Sequence, residues 1–185
     1  MWKAHEKNGK LAIELKDKDG IPLINKQKQN QRKRVIKDKV DSFIEAGFKN
    51  IILAGHSSGG WQSLKIKAEF PMLVKGVIGL NPGAGGTVKN RKDWPWWSDV
   101  RYYGFVKNLS ELNAIIIAHD KDQFNAPEDY SIFSNLNSVR FINITESDCK
   151  MEKMLGGYHG ISLTECYANY EKNNKDIIKY LEEIF

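Results

Sequence analysis

The residues best suited to chemistry lie in the pentapeptide Gly55-His56-Ser57-Ser58-Gly59, which matches the pattern G-x-S-x-G. In this pattern the central serine sits on a sharp strand-to-helix turn, and its hydroxyl projects above the sheet. The glycines remove side chains that would collide with the neighbouring strand and helix. An apolar stretch precedes the pattern and a helical stretch follows it, as the pattern requires. Ser57 is therefore a candidate nucleophile; the alternative is an ordinary glycine-rich turn of a doubly wound sheet.

A serine hydroxyl is a poor nucleophile unless a base takes its proton and an acid orients that base. The chain has four histidines, at positions 5, 56, 119 and 159. Around a G-x-S-x-G turn the chain order is serine, acid, histidine. His159 lies in a glycine-rich loop between the last predicted strand and the last predicted helix, so it is the candidate base. A surface histidine in a loop is the alternative. His56 is expected to serve packing.

The candidate acids follow the third predicted strand of the sheet. Asp120 and Asp122 both stand in that loop. Asp122 is preferred, because it stands where the loop has turned away from the sheet and can reach the histidine loop. The alternative for each is an aspartate that forms a turn. His119, at the end of the strand, is expected to shape this loop.

The elements that must position these residues alternate between strand and helix from about residue 34, which is typical of a parallel α/β sheet. Apolar residues at helical spacing between Val35 and Ile44 predict a helix that stops at Gly47. Buried strands are predicted over 50–54, 74–80, 113–118 and 139–144, and helices over 59–70 and 163–185. In the last helix, one buried face is predicted to hold Tyr170, Ile177, Ile178, Leu181 and Ile184. The fold class is α/β, with a mostly parallel sheet flanked by helices.

With these positions placed, the sequence resembles the α/β-hydrolase superfamily, and within it the dienelactone-hydrolase-like and small serine esterase branch. The resemblance covers roughly residues 35–185 and rests on the segments 50–60, 77–82, 119–127 and 156–160. It implies Ser57 as nucleophile, Asp122 as acid and His159 as base. It also implies the backbone N–H of Ser58 as one oxyanion donor. The implied reaction is hydrolysis of an ester, thioester or lactone.

The sequence departs from this family before the serine. The family has several strands there, and a loop after one of them supplies the second oxyanion donor. The residues before Ser57 are mostly polar and contain no His-Gly or Gly-Gly loop. A reduced or N-terminally truncated form of the fold is therefore expected. The alternative function is a non-catalytic or weakly active remnant that acts as a binding domain.

Three tryptophans, Trp94, Trp96 and Trp97, fall between the second and third predicted strands of the sheet. In the resembled fold this region lies over the active site. The tryptophans are therefore candidates for lining an acyl or aromatic substrate pocket. The alternative is that they pack in the core or its cover.

Composition fits one soluble globular domain: of the 185 residues, 41% are hydrophobic and 28% charged. No apolar run is long enough to span a membrane. The net charge is +5, and residues 1–40 hold twelve Lys or Arg against five Asp or Glu, a surplus of seven. Residues 1–33 are predicted to form a basic polar arm and residues 34–185 the core domain. No aromatic residues interleave the charges, so a solvated surface is favoured and a nucleic-acid partner is not expected.

The two cysteines, Cys149 and Cys166, are equally compatible with a disulfide and with two thiols. Neither has a Cys or His nearby at metal-ligand spacing, so no metal and no cofactor are expected. The expected partner is a small ester-type molecule. A chain that starts at Met1 would be cytoplasmic, whereas a truncated one would allow a periplasmic or secreted protein.

Overall fold

The computed structural model describes residues 3–7, 10–14, 23–84, 104–125, 127–149, 157–169 and 171–185. The chain divides into two compact units, Met1–Ala46 and Gly47–Phe185. The tryptophan segment around residues 94–97 lies outside the described residues. No helix among the described residues is long and apolar enough to cross a membrane.

The first unit contains an antiparallel hairpin and one long helix. The hairpin pairs strand β1 (Lys3–Lys7) with strand β2 (Lys10–Glu14), and helix α1 follows (Leu23–Glu45). The helix begins earlier than the apolar spacing predicts, because its first turns are rich in Lys, Gln and Arg, which favour helix without any apolar pattern. The predicted boundary between residues 33 and 34 falls inside α1, and the division into arm and core stays a prediction.

The second unit is built on a parallel four-stranded sheet with the order β3-β4-β5-β6. All four predicted strands are present, with ends shifted by at most a few residues. The strands are β3 (Ile52–His56), β4 (Gly76–Leu80), β5 (Ala114–His119) and β6 (Val139–Ile144). Because the strands are parallel and adjacent in chain order, the loops after their carboxyl ends meet at one edge of the sheet.

Helices cover both faces of this sheet. The helices are α2 (Ser58–Glu69), α3 (Glu165–Ala168) and α4 (Glu171–Ile184), with 3₁₀ turns at Gly104–Val106, Pro127–Phe133 and Gly157–Leu163. Alternate residues of β5 point to opposite faces. Ile116 joins a cluster with Trp61 and Leu64 of α2. Ile117 joins a second cluster that includes Tyr180 of α4.

The buried face of α4 differs from the predicted one. Ile177, Leu181 and Ile184 pack against the second cluster as expected, but Ile178 is 54% exposed. Tyr180, which the prediction did not include, is buried. Its hydroxyl donates to the Asn113 carbonyl at 2.8 Å and accepts from the Val77 N–H at 3.0 Å. The Tyr180 hydroxyl thus has polar partners at the amino ends of two strands, which allows a tyrosine to be buried here.

The two cysteines are joined by a disulfide, Cys149–Cys166, which resolves the alternative that the sequence left open. Cys149 is buried and Cys166 is exposed. The bridge closes a segment that contains the 3₁₀ turn Gly157–Leu163 and therefore His159. This covalent link ties the end of the β6 loop to helix α3.

Candidate active site

Ser57 occupies the sharp turn between β3 and α2. Its φ of 53° and ψ of −125° lie where residues other than glycine are rare, at a cost of about 1–3 kcal/mol. Ser57 is the N-cap residue of α2, yet its side chain makes no capping hydrogen bond. Serine at an N-cap ordinarily bonds the helix with its hydroxyl. The Ser57 hydroxyl is therefore not used to cap α2.

Close backbone packing explains two glycines around this turn. A Cβ at Gly55 would lie 2.6 Å from the backbone of Gly59 and Gly60, and a Cβ at Gly60 would lie 2.6 Å from the Gly55 carbonyl oxygen. A Cβ at Gly59 would meet nothing within 4 Å. The expectation that Gly59 relieves a collision is therefore wrong. The strand and the helix touch one residue later, at Gly60, because α2 turns that residue toward β3.

Backbone hydrogen bonds fix the turn to the neighbouring strand. The Ser57 N–H donates to the Leu80 carbonyl at 2.9 Å, and the Ser57 carbonyl accepts from the Gly83 N–H at 3.0 Å. The N–H and the carbonyl of Ser57 are thus both held, one by the last residue of β4 and the other by the loop that follows β4. Neither bond involves the Ser57 hydroxyl.

Asp122, and not Asp120, contacts the candidate base. The Nδ1 of His159 lies 2.8 Å from Oδ2 of Asp122. Asp120 instead lies 2.9 Å from Nδ1 of His119. That ring nitrogen already accepts the Lys121 N–H at 3.0 Å, so it cannot also donate to Asp120, and we regard the second contact as proximity only.

The carboxylate of Asp122 is fully buried and well supplied with donors. Oδ1 accepts from the Phe124 N–H at 2.7 Å and the Asn125 N–H at 3.3 Å, and Oδ2 accepts from Asn81 Nδ2 at 2.9 Å. Burial alone would raise the pKa of Asp122. The hydrogen bond from His159 and those from Phe124 and Asn81 outweigh burial, so the pKa is lowered. Asp122 is therefore ionised at neutral pH.

Asn81 is a site residue that sequence reasoning missed. It follows β4 directly, is 1% exposed and has a φ of 43°. Its side chain donates to Asp122, and its carbonyl accepts from Nδ2 of Asn125 at 3.1 Å. The sequence Asn81-Pro82-Gly83 marked the end of a strand, and nothing in that signal indicated a contact with the acid. The sequence signal that could have found it is an asparagine directly after a predicted strand, at the same sheet edge as the candidate acid.

The ring of His159 is oriented by its surroundings. An ionised carboxylate only accepts hydrogen bonds, so Nδ1 of His159 carries the proton that faces Asp122. In the neutral ring, Nε2 then holds a lone pair that can accept a proton. The ring also packs against the rings of Phe124 and His56, at centroid distances of 4.6 and 4.8 Å. The structure thus brings Asp122 and His159 together beside the residue that precedes Ser57.

His56 does more than the packing that the sequence predicts. Its Nε2 lies 2.7 Å from the backbone carbonyl oxygen of His159. A carbonyl oxygen only accepts, so Nε2 carries a proton and donates it to this bond.

A second anchor of the histidine loop lies at Tyr158. Its ring stacks on the buried ring of His119 at a centroid distance of 4.2 Å. Its hydroxyl donates to Glu146, which also pairs with Lys121. The hydrogen bonds from Lys121 and Tyr158 lower the pKa of Glu146. His119 thus contacts the histidine loop through Tyr158, which the sequence did not indicate, as well as the acid loop through the Lys121 N–H.

The other predicted site residues are Ser58 and three tryptophans. Ser58 is the first residue of α2, so its backbone N–H belongs to the helix N-terminus, where a developing negative charge is favoured. Trp94, Trp96 and Trp97 lie outside the described residues. Within the described part of the chain, no group of three His, Cys, Asp or Glu side chains could hold a metal ion.

Comparison with known proteins gives a likeness of structure only. No family model and no curated protein matches the sequence. A predicted CIB-like hydrolase from Thermoplasma acidophilum superimposes with a TM-score of 0.54 at 14% identity. That match covers 82% of this chain and 59% of the other, so this chain spans little more than half the length of that hydrolase.

Two other solved structures also superimpose on this chain. The monoacylglycerol lipase of Paleococcus ferrophilus has a TM-score of 0.57 at 14% identity, covering 83% of this chain and 76% of that one. An α/β hydrolase from a sediment metagenome of the Mar Chica lagoon, Morocco, has a TM-score of 0.53 at 19% identity, covering 84% and 70%. Together with the parallel sheet flanked by helices, these matches show that the chain has the α/β-hydrolase fold.

Proposed function

We propose that this chain is a serine hydrolase of the carboxylesterase type, which cleaves an ester, thioester or lactone through an acyl-enzyme on Ser57. The observation that carries the proposal is the hydrogen bond between the buried Asp122 carboxylate and His159, at the sheet edge where Ser57 occupies a strained turn. The sequence resembles enzymes of the dienelactone-hydrolase-like and small serine esterase branch.

The proposed first half-reaction forms the acyl-enzyme. Oγ of Ser57 attacks the carbonyl carbon while Nε2 of His159 takes the hydroxyl proton. The carbonyl oxygen becomes an oxyanion, which accepts a hydrogen bond from the Ser58 N–H. Collapse of this intermediate breaks the bond to the leaving group, and His159 gives its proton to the leaving alcohol or thiol. Asp122 stays ionised throughout and stabilises the imidazolium.

The second half-reaction regenerates the enzyme. Nε2 of His159 takes a proton from water, and the hydroxide attacks the acyl carbon bound to Ser57. The bond from the acyl carbon to Oγ breaks, the carboxylic acid leaves, and His159 returns the proton to Oγ. The sequence of steps consumes one water and needs no cofactor.

A fluorophosphonate probe tests the proposal on the intact chain. We expect one covalent adduct, located on Ser57 by peptide mass spectrometry, because phosphonates react with serines that a base has activated. Ser57→Ala should abolish the adduct. Ser58→Ala is the matched control: it keeps the backbone N–H and should still be labelled. An unlabelled wild-type chain would point to the non-catalytic binding domain, and an adduct on Ser58 would overturn the assignment of the nucleophile.

A further inference from the structure

His56 connects the two reacting groups of the proposed site through a very short path. It is covalently joined to Ser57, and its Nε2–H donates to the backbone carbonyl of His159 at 2.7 Å. The two histidines are 103 positions apart in the chain. One side-chain hydrogen bond thus joins the serine turn directly to the histidine loop.

This bond restrains a degree of freedom that Asp122 leaves open. Asp122 holds the ring of His159 through Nδ1, which sets the orientation of the ring. The backbone of the loop could still shift toward or away from the serine turn. Proton transfer from Oγ to Nε2 is sensitive to that separation, since reacting groups must be held within about 0.5 Å of the productive geometry.

We propose that His56 is a positioning residue, which sets the distance between Ser57 and His159 by holding the backbone of the histidine loop. The inference rests on the proposed serine hydrolase function. His56 is assigned no part in proton transfer, because its Nε2–H is used in the hydrogen bond to the His159 carbonyl oxygen. Its role is exerted through His159.

A pair of substitutions of nearly equal length isolates the hydrogen bond. His56→Gln places an amide N–H about where Nε2 lies, whereas His56→Met has a similar length and no donor. We expect His56→Met to lower kcat for p-nitrophenyl acetate and the rate of fluorophosphonate labelling by about 10- to 100-fold, with little change in KM. His56→Gln should recover most of both rates.

The control lies at the opposite edge of the sheet. Tyr180→Phe removes the two hydrogen bonds that the Tyr180 hydroxyl makes near the amino ends of the strands, so it should lower stability without slowing labelling. Thermal unfolding of every variant separates lost rate from lost folding, and His56→Leu is a second donor-free variant if His56→Met does not fold.

The outcomes are distinct. Slow labelling in His56→Met with recovery in His56→Gln supports the inference. Equal rates in wild type and both donor-free variants overturn it while the proposed function stands. Equally slow labelling in His56→Gln and His56→Met overturns the role of the hydrogen bond and leaves only ring packing. A wild-type chain that no phosphonate labels refutes the proposed function itself.

Discussion

At the scale of single residues, the site depends on a buried carboxylate that stays charged. Asp122 is 4% exposed, and a lone buried charge would be costly. Donors from the loop backbone, from Asn81 and from His159 compensate for lost water. The pKa of Asp122 is consequently lowered, although burial by itself would raise it. The stability that these bonds contribute is present above the unfolded pKa of about 3.9 and is lost as pH falls through the lower folded pKa.

Replacing the carboxylate should separate the two candidate acids. We expect Asp122→Asn to lower kcat for p-nitrophenyl acetate by about three to four orders of magnitude, because a neutral amide no longer fixes the proton on Nδ1 of His159. Asp120→Asn is the matched control. It changes the same functional group two positions away, makes no contact with His159, and should leave kcat nearly unchanged.

Acid unfolding tests the ionised state of Asp122 through stability rather than through rate. Asp122→Asn should flatten the dependence of the free energy of unfolding on pH below about pH 4, since its titrating group is gone. Denaturant unfolding at several pH values measures this slope.

If Asp120→Asn lowers kcat more than Asp122→Asn does, then Asp120 orients the base and the proposed acid is wrong.

At the scale of elements, the histidine loop is held at several points. The disulfide joins Cys149, after β6, to Cys166 in α3, and His159 lies between them. Tyr158 stacks on His119, which ends β5. The Gly157–Leu163 turn contributes Ile161 to the second hydrophobic cluster. The loop that carries the proposed base is therefore fastened by covalent, aromatic and apolar contacts.

We predict that the disulfide supports both stability and rate. The bridged cysteines are 17 positions apart, and a closure of that length restricts the unfolded chain by about 3 kcal/mol. Reduction, or the double substitution Cys149→Ser with Cys166→Ser, should lower the free energy of unfolding by up to that amount. It should also slow fluorophosphonate labelling, because the segment that carries His159 loses a tether.

Reductant applied to the double variant is the control, since no bridge is left to cleave and nothing should change. Thiol titration of the unreduced, denatured chain should find no reactive thiol. Two titratable thiols there, with unchanged labelling, would show that the bridge is dispensable.

At the scale of the whole molecule, the sheet gathers the site from distant parts of the chain. Residues after β3, β4, β5 and β6 meet at one edge because the four strands are parallel and adjacent. The second unit alone, Gly47–Phe185, holds every residue assigned a part in the proposed reaction. The proposed oxyanion donor, the Ser58 N–H, lies in the first turn of α2, directly after the serine turn.

We propose that the chain hydrolyses activated esters slowly and ordinary esters barely. The sequence before residue 35 offers no loop of the kind that donates a second backbone N–H, and loss of one such donor costs about two to three orders of magnitude in rate. Esters with good leaving groups depend less on oxyanion stabilisation, so the defect should be selective. Hydrolysis of p-nitrophenyl acetate and of an ethyl ester, each measured beside Ser57→Ala, checks this. Efficient turnover of the ethyl ester would reveal a second donor.

The sequence by itself determined the elements and the candidates for chemistry. Apolar runs located strands β3, β4 and β5, because a strand covered by helices on both faces is apolar along most of its length. The outer strand β6, Val139–Ile144, also carries polar residues and is partly exposed. The G-x-S-x-G pattern in its strand-to-helix setting located the serine turn. Chain order and loop position favoured His159 as base and Asp122 as acid.

Only the tertiary structure decided how these residues meet. The contact of Asp122 with Asn81, the bond from His56 to the His159 carbonyl and the pairing of Cys149 with Cys166 all join positions remote in the chain. The burial of Tyr180 on α4 depended on its hydroxyl reaching the Val77 N–H and the Asn113 carbonyl at the amino ends of two strands. The hydrophobic period of a sequence shows which residues are apolar. Side-chain hydrogen bonds between distant positions depend instead on which polar groups lie opposite each other once the sheet has formed.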